Sequence, residues 1–305
     1  MLEKLKRYFQ TSLTEQFNSN DRKRYWFQTD DGQTFGISKT ALSDEELNLL
    51  NHLFTPIDCQ ADSKYSSRIK QEWHEFLYKH SNTLPQSSGV ETVRFFYFFL
   101  RTPLEDPNSF EEAIIGGFGQ PLLFWQSRTH GFIIDQQPQD AFTKMEFNQL
   151  IDTLISDFFV DIHGYIGQLN KFDLSLKEKF SYECQCIEVI HHGANQERVT
   201  TFYEGFPHVL IESPSLVDQH IFSDYLVESI QEQEMLQTLQ VFFQNNLNAS
   251  LTAKKLYIHR NSLQYRLDKF IEKTGIDIRS FSNATFVTLA ILLLKKNNTL
   301  IVHGA

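Results

Sequence analysis

The stretch Asn248-Ala-Ser-Leu-Thr-Ala-Lys-Lys-Leu-Tyr-Ile-His-Arg-Asn-Ser-Leu-Gln-Tyr-Arg-Leu267 leaves the backbone few choices, because its pattern suits two short helices joined by a tight turn. Asn248 is a good N-cap, since its side-chain oxygen can accept from a first-turn N–H that has no partner within the helix. Ala253 and Leu256 then share a face, and Ile258 falls in the turn. The small Ala253 lets a second helix cross closely at a steep angle. That second helix is predicted from about Arg260 to Thr274, with Gly275 as its left-handed C-terminal cap. At 3.6 residues per turn, Leu263, Leu267, Phe270 and Thr274 lie within roughly 60° of one another and form a buried stripe. Asn261, Gln264, Tyr265, Asp268 and Lys269 lie on the other side, with Arg260 and Ser262 at the helix start. Such side chains hydrogen-bond base edges and phosphates. They would also suit the solvated face of an ordinary helical bundle.

Charge separates these two readings. The 305-residue chain has a net charge of −10, which alone argues against a nucleic-acid partner. The distribution reverses that. Residues 230–305 hold nine Lys/Arg against five acids, a balance of +4, while the remainder holds 19 against 33, a balance of −14. A phosphate backbone repels an acidic body, so only the C-terminal part can face DNA.

Several segments in this region, Leu236-Gln-Thr-Leu-Gln-Val-Phe-Phe, Ile258-His-Arg-Asn-Ser-Leu, Tyr265-Arg-Leu and Thr274-Gly-Ile-Asp-Ile, resemble the C-terminal helix-turn-helix of the PucR/CdaR family of bacterial transcription regulators. The resemblance covers about Met235 to Lys296. It implies a Fis-like DNA-binding domain at the end of a longer sensory chain.

Upstream, Leu2, Leu5, Phe9, Leu13 and Phe17 recur at helical spacing and predict an opening amphipathic helix. Two β-prone runs from Arg24 to Ile37 flank Asp31-Gly32, a hairpin signature. The aromatic residues Tyr25, Trp26, Phe27 and Phe35 in these runs could wall a ligand site or simply form a core. Ser43 with Glu46 is a capping box ahead of Leu47, Leu50 and Leu53. A further helix is predicted over 66–80, and the linker-like Ser81-Asn-Thr-Leu-Pro-Gln-Ser-Ser-Gly89 closes the first domain.

Phe95-Phe-Tyr-Phe-Phe-Leu100 predicts a strand buried on both faces. A helix over 108–115, a hairpin of 122–126 with 132–135, a helix over 143–157, a strand over 158–165, a helix from Leu169 to Glu188 or beyond and a last strand over 200–203 follow. This β-α-β-β-α-β-α-β order is a ferredoxin-like arrangement, and it resembles the degenerate GGDEF-type domain found in PucR/CdaR-like regulators. A long helix over 223–243 should then lead into the helix-turn-helix. Asn283 should cap a final helix with core on one side and a dimer contact on the other.

A nucleotide cyclase of this fold needs carboxylates on its first strand and central hairpin to hold metal ions. Here the hairpin reads Ser127-Arg-Thr-His-Gly131 and the strand ends in Arg101. Gly116-Gly-Phe-Gly119 precedes a strand instead of opening a helix, so it predicts a turn and not a phosphate cradle. His191 and His192 diverge by about 100° if helical, and solvated helix-end histidines are expected. Cys59, Cys184 and Cys186, an odd count, predict plain thiols without a disulfide framework or zinc site. The longest apolar run, Phe286 to Leu294, is too short for a bilayer, and the N-terminus lacks a secretory pattern.

The expected fold is α+β. A small α/β sensor-like domain spans 1–88, a ferredoxin-like, degenerate GGDEF-like domain spans 89–222, and an all-α helix-turn-helix domain spans 223–305. The expected function is sequence-specific transcription regulation in the cytoplasm. The partners are double-stranded DNA, a second copy in a homodimer, and a small-molecule or protein effector. Arg260, Asn261, Ser262, Gln264, Tyr265 and Lys269 are the expected DNA contacts, with no catalytic residue, metal or cofactor. The alternative is a nucleotide-binding protein or enzyme of cyclase-like fold with a DNA-associated tail.

Overall fold

The computed structural model describes residues 2–9, 12–15, 24–29, 33–57, 64–79, 82–86, 89–118, 121–136, 143–193 and 197–296. Helix α1 (Leu2–Phe9) is followed by strands β1 (Leu13–Thr14), β2 (Arg24–Gln28) and β3 (Thr34–Ser38), helix α2 (Asp44–Leu53) and strand β4 (Thr55–Ile57). The strands form an antiparallel sheet of order β1-β3-β2-β4. Phe27 pairs with Phe35 across it, and both rings meet Ile37, Leu50 and Phe54 in a small core closed by Leu2 and Phe9. The Ser43–Glu46 capping box starts α2 as the sequence requires. The opening helix, however, stops at Phe9. Leu13 lies in β1, and Phe17 and the Asp31-Gly32 turn lie outside the described residues.

Helix α3 (Lys64–Tyr78) leads to the central sheet. Its elements are β5 (Thr92–Leu100), α4 (Pro107–Phe118), β6 (Leu122–Trp125), β7 (His130–Asp135), α5 (Lys144–Phe158), β8 (Ile162–Lys171), α6 (Leu176–His192) and β9 (Val199–Thr201). The order β6-β7-β5-β8 is antiparallel throughout, and β9 adds in parallel at the β8 edge. This is the split βαβ order anticipated from the element sequence. Side chains alternate across a strand, so β5 serves two cores. Phe96, Phe98 and Leu100 pack with Phe110, Phe147 and Ile151 of α4 and α5. Val93, Phe95 and Tyr97 face Trp73, Phe180 and Ile187 of α3 and α6.

Several boundaries differ from expectation. Residues 169–171 are strand, not helix, and α6 begins only at Leu176. The strand over 158–165 instead runs from Ile162, because α5 continues to Phe158 and ends on Phe159 in the left-handed region. Gly116 and Gly117 belong to α4 rather than to a turn, and Gly119 lies outside the described residues. Nor is the 223–243 helix continuous. Glu232 takes an extended conformation and splits it into α8 (Asp224–Gln231) and α9 (Gln233–Gln244).

Helix α7 (Phe202–Glu212) precedes this pair, and α10 (Ala249–Lys255), α11 (Arg260–Thr274) and α12 (Phe281–Lys296) follow it. Helix α12 starts two residues before Asn283, and the Ser280 hydroxyl accepts from the Asn283 N–H. One apolar cluster runs without interruption from Phe95 and Phe180 through Phe206 and Phe222 to Leu239, Leu263 and Phe286. The C-terminal helices are thereby seated on the central sheet.

Candidate nucleic-acid interface

Asn248 caps α10, its Oδ1 accepting from Leu251 N–H at 3.0 Å. Ala253 is buried against α11, as a close crossing requires. The turn closes through Ile258 N–H to Ala253 O, 3.0 Å, with Tyr257 in the left-handed region. His259, not named by the sequence reading, is the N-cap of α11: its Nδ1 accepts from Asn261 N–H at 3.2 Å. Leu263, Leu267, Phe270 and Thr274 are buried, and Gly275 ends the helix at φ 70°, donating to Ile271 O at 2.7 Å.

The opposite face is open. Arg260, Asn261, Ser262, Tyr265 and Lys269 are exposed, Tyr265 at 69%. Gln264 is half-buried on the flank, and its Nε2 donates to Asp268 Oδ1 at 2.9 Å. Arg266 faces inward instead. Its guanidinium reaches Glu234 at 2.5 Å and Thr238 Oγ1 at 3.2 Å on α9.

A groove of about 410 Å³ runs along one flank of α11. Asn261, Ser262, Tyr265, Arg266 and Lys269 line it from α11, with Glu232 and Glu234 opposite, Glu234 being paired with Arg266. Ser262 and Lys269 share this groove with Glu232, whereas Arg260 does not line it and follows the cations Lys254 and Lys255 of α10's last turn in the chain.

Among its described residues the central unit holds no comparable arrangement. The hairpin Ser127 hydroxyl bonds His130 Nδ1 at 2.6 Å, and no cluster suited to a metal ion occurs among the described residues. Cys184 and Cys186 are free thiols, and Cys59 lies outside the described residues. His191 corrects the expectation of a solvated pair. Its ring stacks on Phe99 at 4.1 Å, and its Nδ1 meets the Tyr165 hydroxyl at 2.8 Å. Burial, followed by the neighbouring His192, His163 and His130, pushes its pKa down to about 4, so the ring is neutral. His192 alone is exposed. In the first unit, Trp26, Phe27 and Phe35 are core residues and present no open aromatic wall.

A family model described as the PucR C-terminal helix-turn-helix domain matches residues 235–293. The uncharacterized protein YxkF of Bacillus subtilis (strain 168) is 33% identical over 265 residues, covering 85% of this chain and 87% of its own. The proline-responsive transcriptional activator PutR of the same organism is 31% identical over 144 residues, 43% of this chain and 34% of PutR. The carbohydrate diacid regulator of Escherichia coli (strain K12) is 39% identical over 56 residues, 18% of this chain and 14% of that protein.

Proposed function

Because the chain belongs to the PucR/CdaR-like family of transcription regulators, we propose that it reads DNA through the start of α11, as a homodimer, under control of residues 1–222. The observation that carries this is the open face of α11. A helix whose apolar stripe is fully satisfied in the core still presents Arg260, Asn261 and Tyr265 outward, with Gln264 on its flank, in a C-terminal quarter whose balance is +4 while the rest of the chain is −14. Arg260, Asn261 and Ser262 in the first turn, with Gln264 and Tyr265 one turn on, take base edges or nearby phosphates. Lys269 takes backbone only.

Residues 1–88 receive the signal, residues 89–222 transmit it, and residues 223–305 bind DNA. The effector is a small molecule or a protein. No helix among the described residues is long and apolar enough to cross a membrane, and the cytoplasm is the compartment we assign. The relatives with named functions are regulators. We assign the central unit no catalysis, since its hairpin offers Ser127, Arg128, Thr129 and His130 where a cyclase needs carboxylates. Incubation of the pure protein with GTP should leave the nucleotide intact.

Selection of duplexes from a randomised pool by the full-length protein, followed by titration at several salt concentrations, tests the DNA reading. A recurring motif with two half-sites about 10 base pairs apart, or a multiple of that, is expected of a helix-turn-helix dimer. An enriched pool with no common motif would overturn specific recognition, and a single half-site would overturn the dimer.

A further inference from the structure

Tyr257 stands in the turn between α10 and α11 at φ 54°. Its N–H donates to Lys254 O at 3.3 Å and that of Ile258 to Ala253 O at 3.0 Å, the closure of a helix end through one left-handed residue. Glycine is the usual occupant of such a position, because a Cβ there crowds the following carbonyl. A tyrosine could be retained for its packing, but this one is 96% exposed. Leu247, also at positive φ, differs in resting against the core. Asn246 belongs to a type that tolerates the region. Neither local conformation nor burial accounts for Tyr257. Phe159, left-handed at the end of α5 and 92% exposed, shares both features, so what sets Tyr257 apart is the charge around it, and a strained residue so placed points to function.

Its surroundings define what it would touch. Lys254 and Lys255 are exposed on the turn before it, and Arg260 and Asn261 on the turn after it. The exposed phenol thus lies between these cationic and amide donors, next to the first turn of α11, which a helix-turn-helix places in the DNA major groove. We propose that Tyr257 is a DNA-backbone contact whose hydroxyl donates to a phosphate bordering the major groove. The proposal rests on the docking of α11 described above. A hydroxyl on a phosphate positions the protein without reading sequence. Being neutral, it displaces no counterion.

The test uses the full-length protein, a duplex selected from the randomised pool by the wild-type chain, and a scrambled duplex of equal length. Tyr257→Phe keeps the ring and the strain and removes only the donor. It should weaken binding to both duplexes by the same factor, about 3- to 10-fold, with the salt slope and melting temperature unchanged. Tyr257→Gly should bind at least as weakly as Tyr257→Phe yet melt no lower than wild type, since it relieves the left-handed Cβ. Lys254→Ala provides the contrast of a charged contact, lowering the salt slope by about one. Wild-type affinity in Tyr257→Phe overturns the proposal, whatever Tyr257→Gly does, as does a Tyr257→Gly protein that melts well below wild type. A wild-type chain that shows no preference between the duplexes overturns the specific docking of α11, and this contact with it.

Discussion

The guanidinium of Arg94 occupies the space where a side chain on Gly275 would begin. Arg94 belongs to the central strand β5, at the point where its register against β8 shifts before Phe96. Such an irregularity re-aims a side chain. Gly275 is the left-handed cap of the recognition helix, so a cation from the sheet meets the helix end whose dipole favours positive charge.

Two effects therefore oppose Gly275→Ala: a Cβ at φ 70° and its overlap with Arg94. The left-handed Cβ should cost about 1–2 kcal/mol, read as a fall in the midpoint of urea unfolding, and the guanidinium, the far end of a flexible side chain, adds only what its displacement costs. In the Arg94→Ala background the steric part disappears. A double-mutant cycle should then give a coupling of at least about 0.5 kcal/mol. Strict additivity would mean that the two residues do not constrain each other.

Glu183 governs a pH dependence nearby. Its carboxylate accepts from the Tyr97 hydroxyl at 2.8 Å and from Gln168 N–H at 2.7 Å. Burial nevertheless pushes its pKa up to about 7, outweighing those donors and Arg94. Between about pH 4.5 and 7 the folded chain then holds a proton that the unfolded chain has released. On this account stability is greatest at low pH and falls as pH rises towards 7. His191, held neutral, acts in the opposite sense and loses stability as pH falls from 6.5 towards 4. Comparing wild type with Glu183→Gln cancels that contribution. From pH 5 to pH 7.5 wild type should lose on the order of 1–3 kcal/mol relative to the variant, and parallel denaturation curves would contradict the assignment.

What the sequence made readable was local. Caps and stripes operate within one or two turns, so Ser43, Asn248, Gly275 and the buried face of α11 could be placed from spacing alone. The failures share a different cause. Gln168 and Asn170 are buried polar residues of a strand, and the partners of Gln168 come from elsewhere, since it bridges Ile221 O and Ser223 N–H. Without those contacts the segment does not read as a core strand. Glu232 breaks a helix without glycine or proline; α8 is tied to α11 through the Lys171–Glu228–Lys273 cluster, and α9 packs on both α10 and α11. His191 looked solvated because nothing near it in sequence announces Phe99. In the interface itself, types and faces were readable. The acidic wall of Glu232 and Glu234 was not, since it depends on the break at Glu232.

The shared core sets a limit on cutting the chain. Phe286 of α12 contacts the rings of Tyr203 at 5.0 Å, Phe206 at 5.1 Å and Phe222 at 5.9 Å. Phe286→Ala should cost about 3–5 kcal/mol in urea unfolding of the whole chain. A fragment of residues 229–305 lacks these partner rings and that of Phe202. It should retard DNA more weakly than the intact protein and unfold at lower urea. Equal midpoints for fragment and full chain would show that this packing contributes little.

Position on α11 decides the last prediction. Arg260 is exposed in the first turn and does not line the groove of Glu232 and Glu234, so it can reach a base edge. Arg260→Ala should cost about 1–3 kcal/mol on the selected duplex and relax preference at one or two base pairs. Lys269 lies more than two turns further on and lines the groove that Glu232 and Glu234 face. Lys269→Ala should weaken all sequences alike and lower the salt slope by roughly one. Arg266, tied to Glu234 and Thr238, should leave preference unaltered when replaced by Met. Leu263→Ala is the folding control: this fully buried side chain should lose about 2–5 kcal/mol of stability on truncation and disrupt the domain without retuning it. Titrations on selected and scrambled duplexes at several salt concentrations separate these outcomes. If Arg260→Ala leaves the ratio of the two affinities untouched while Lys269→Ala collapses it, α11 docks by its other flank, and the acidic wall must then swing away when DNA binds.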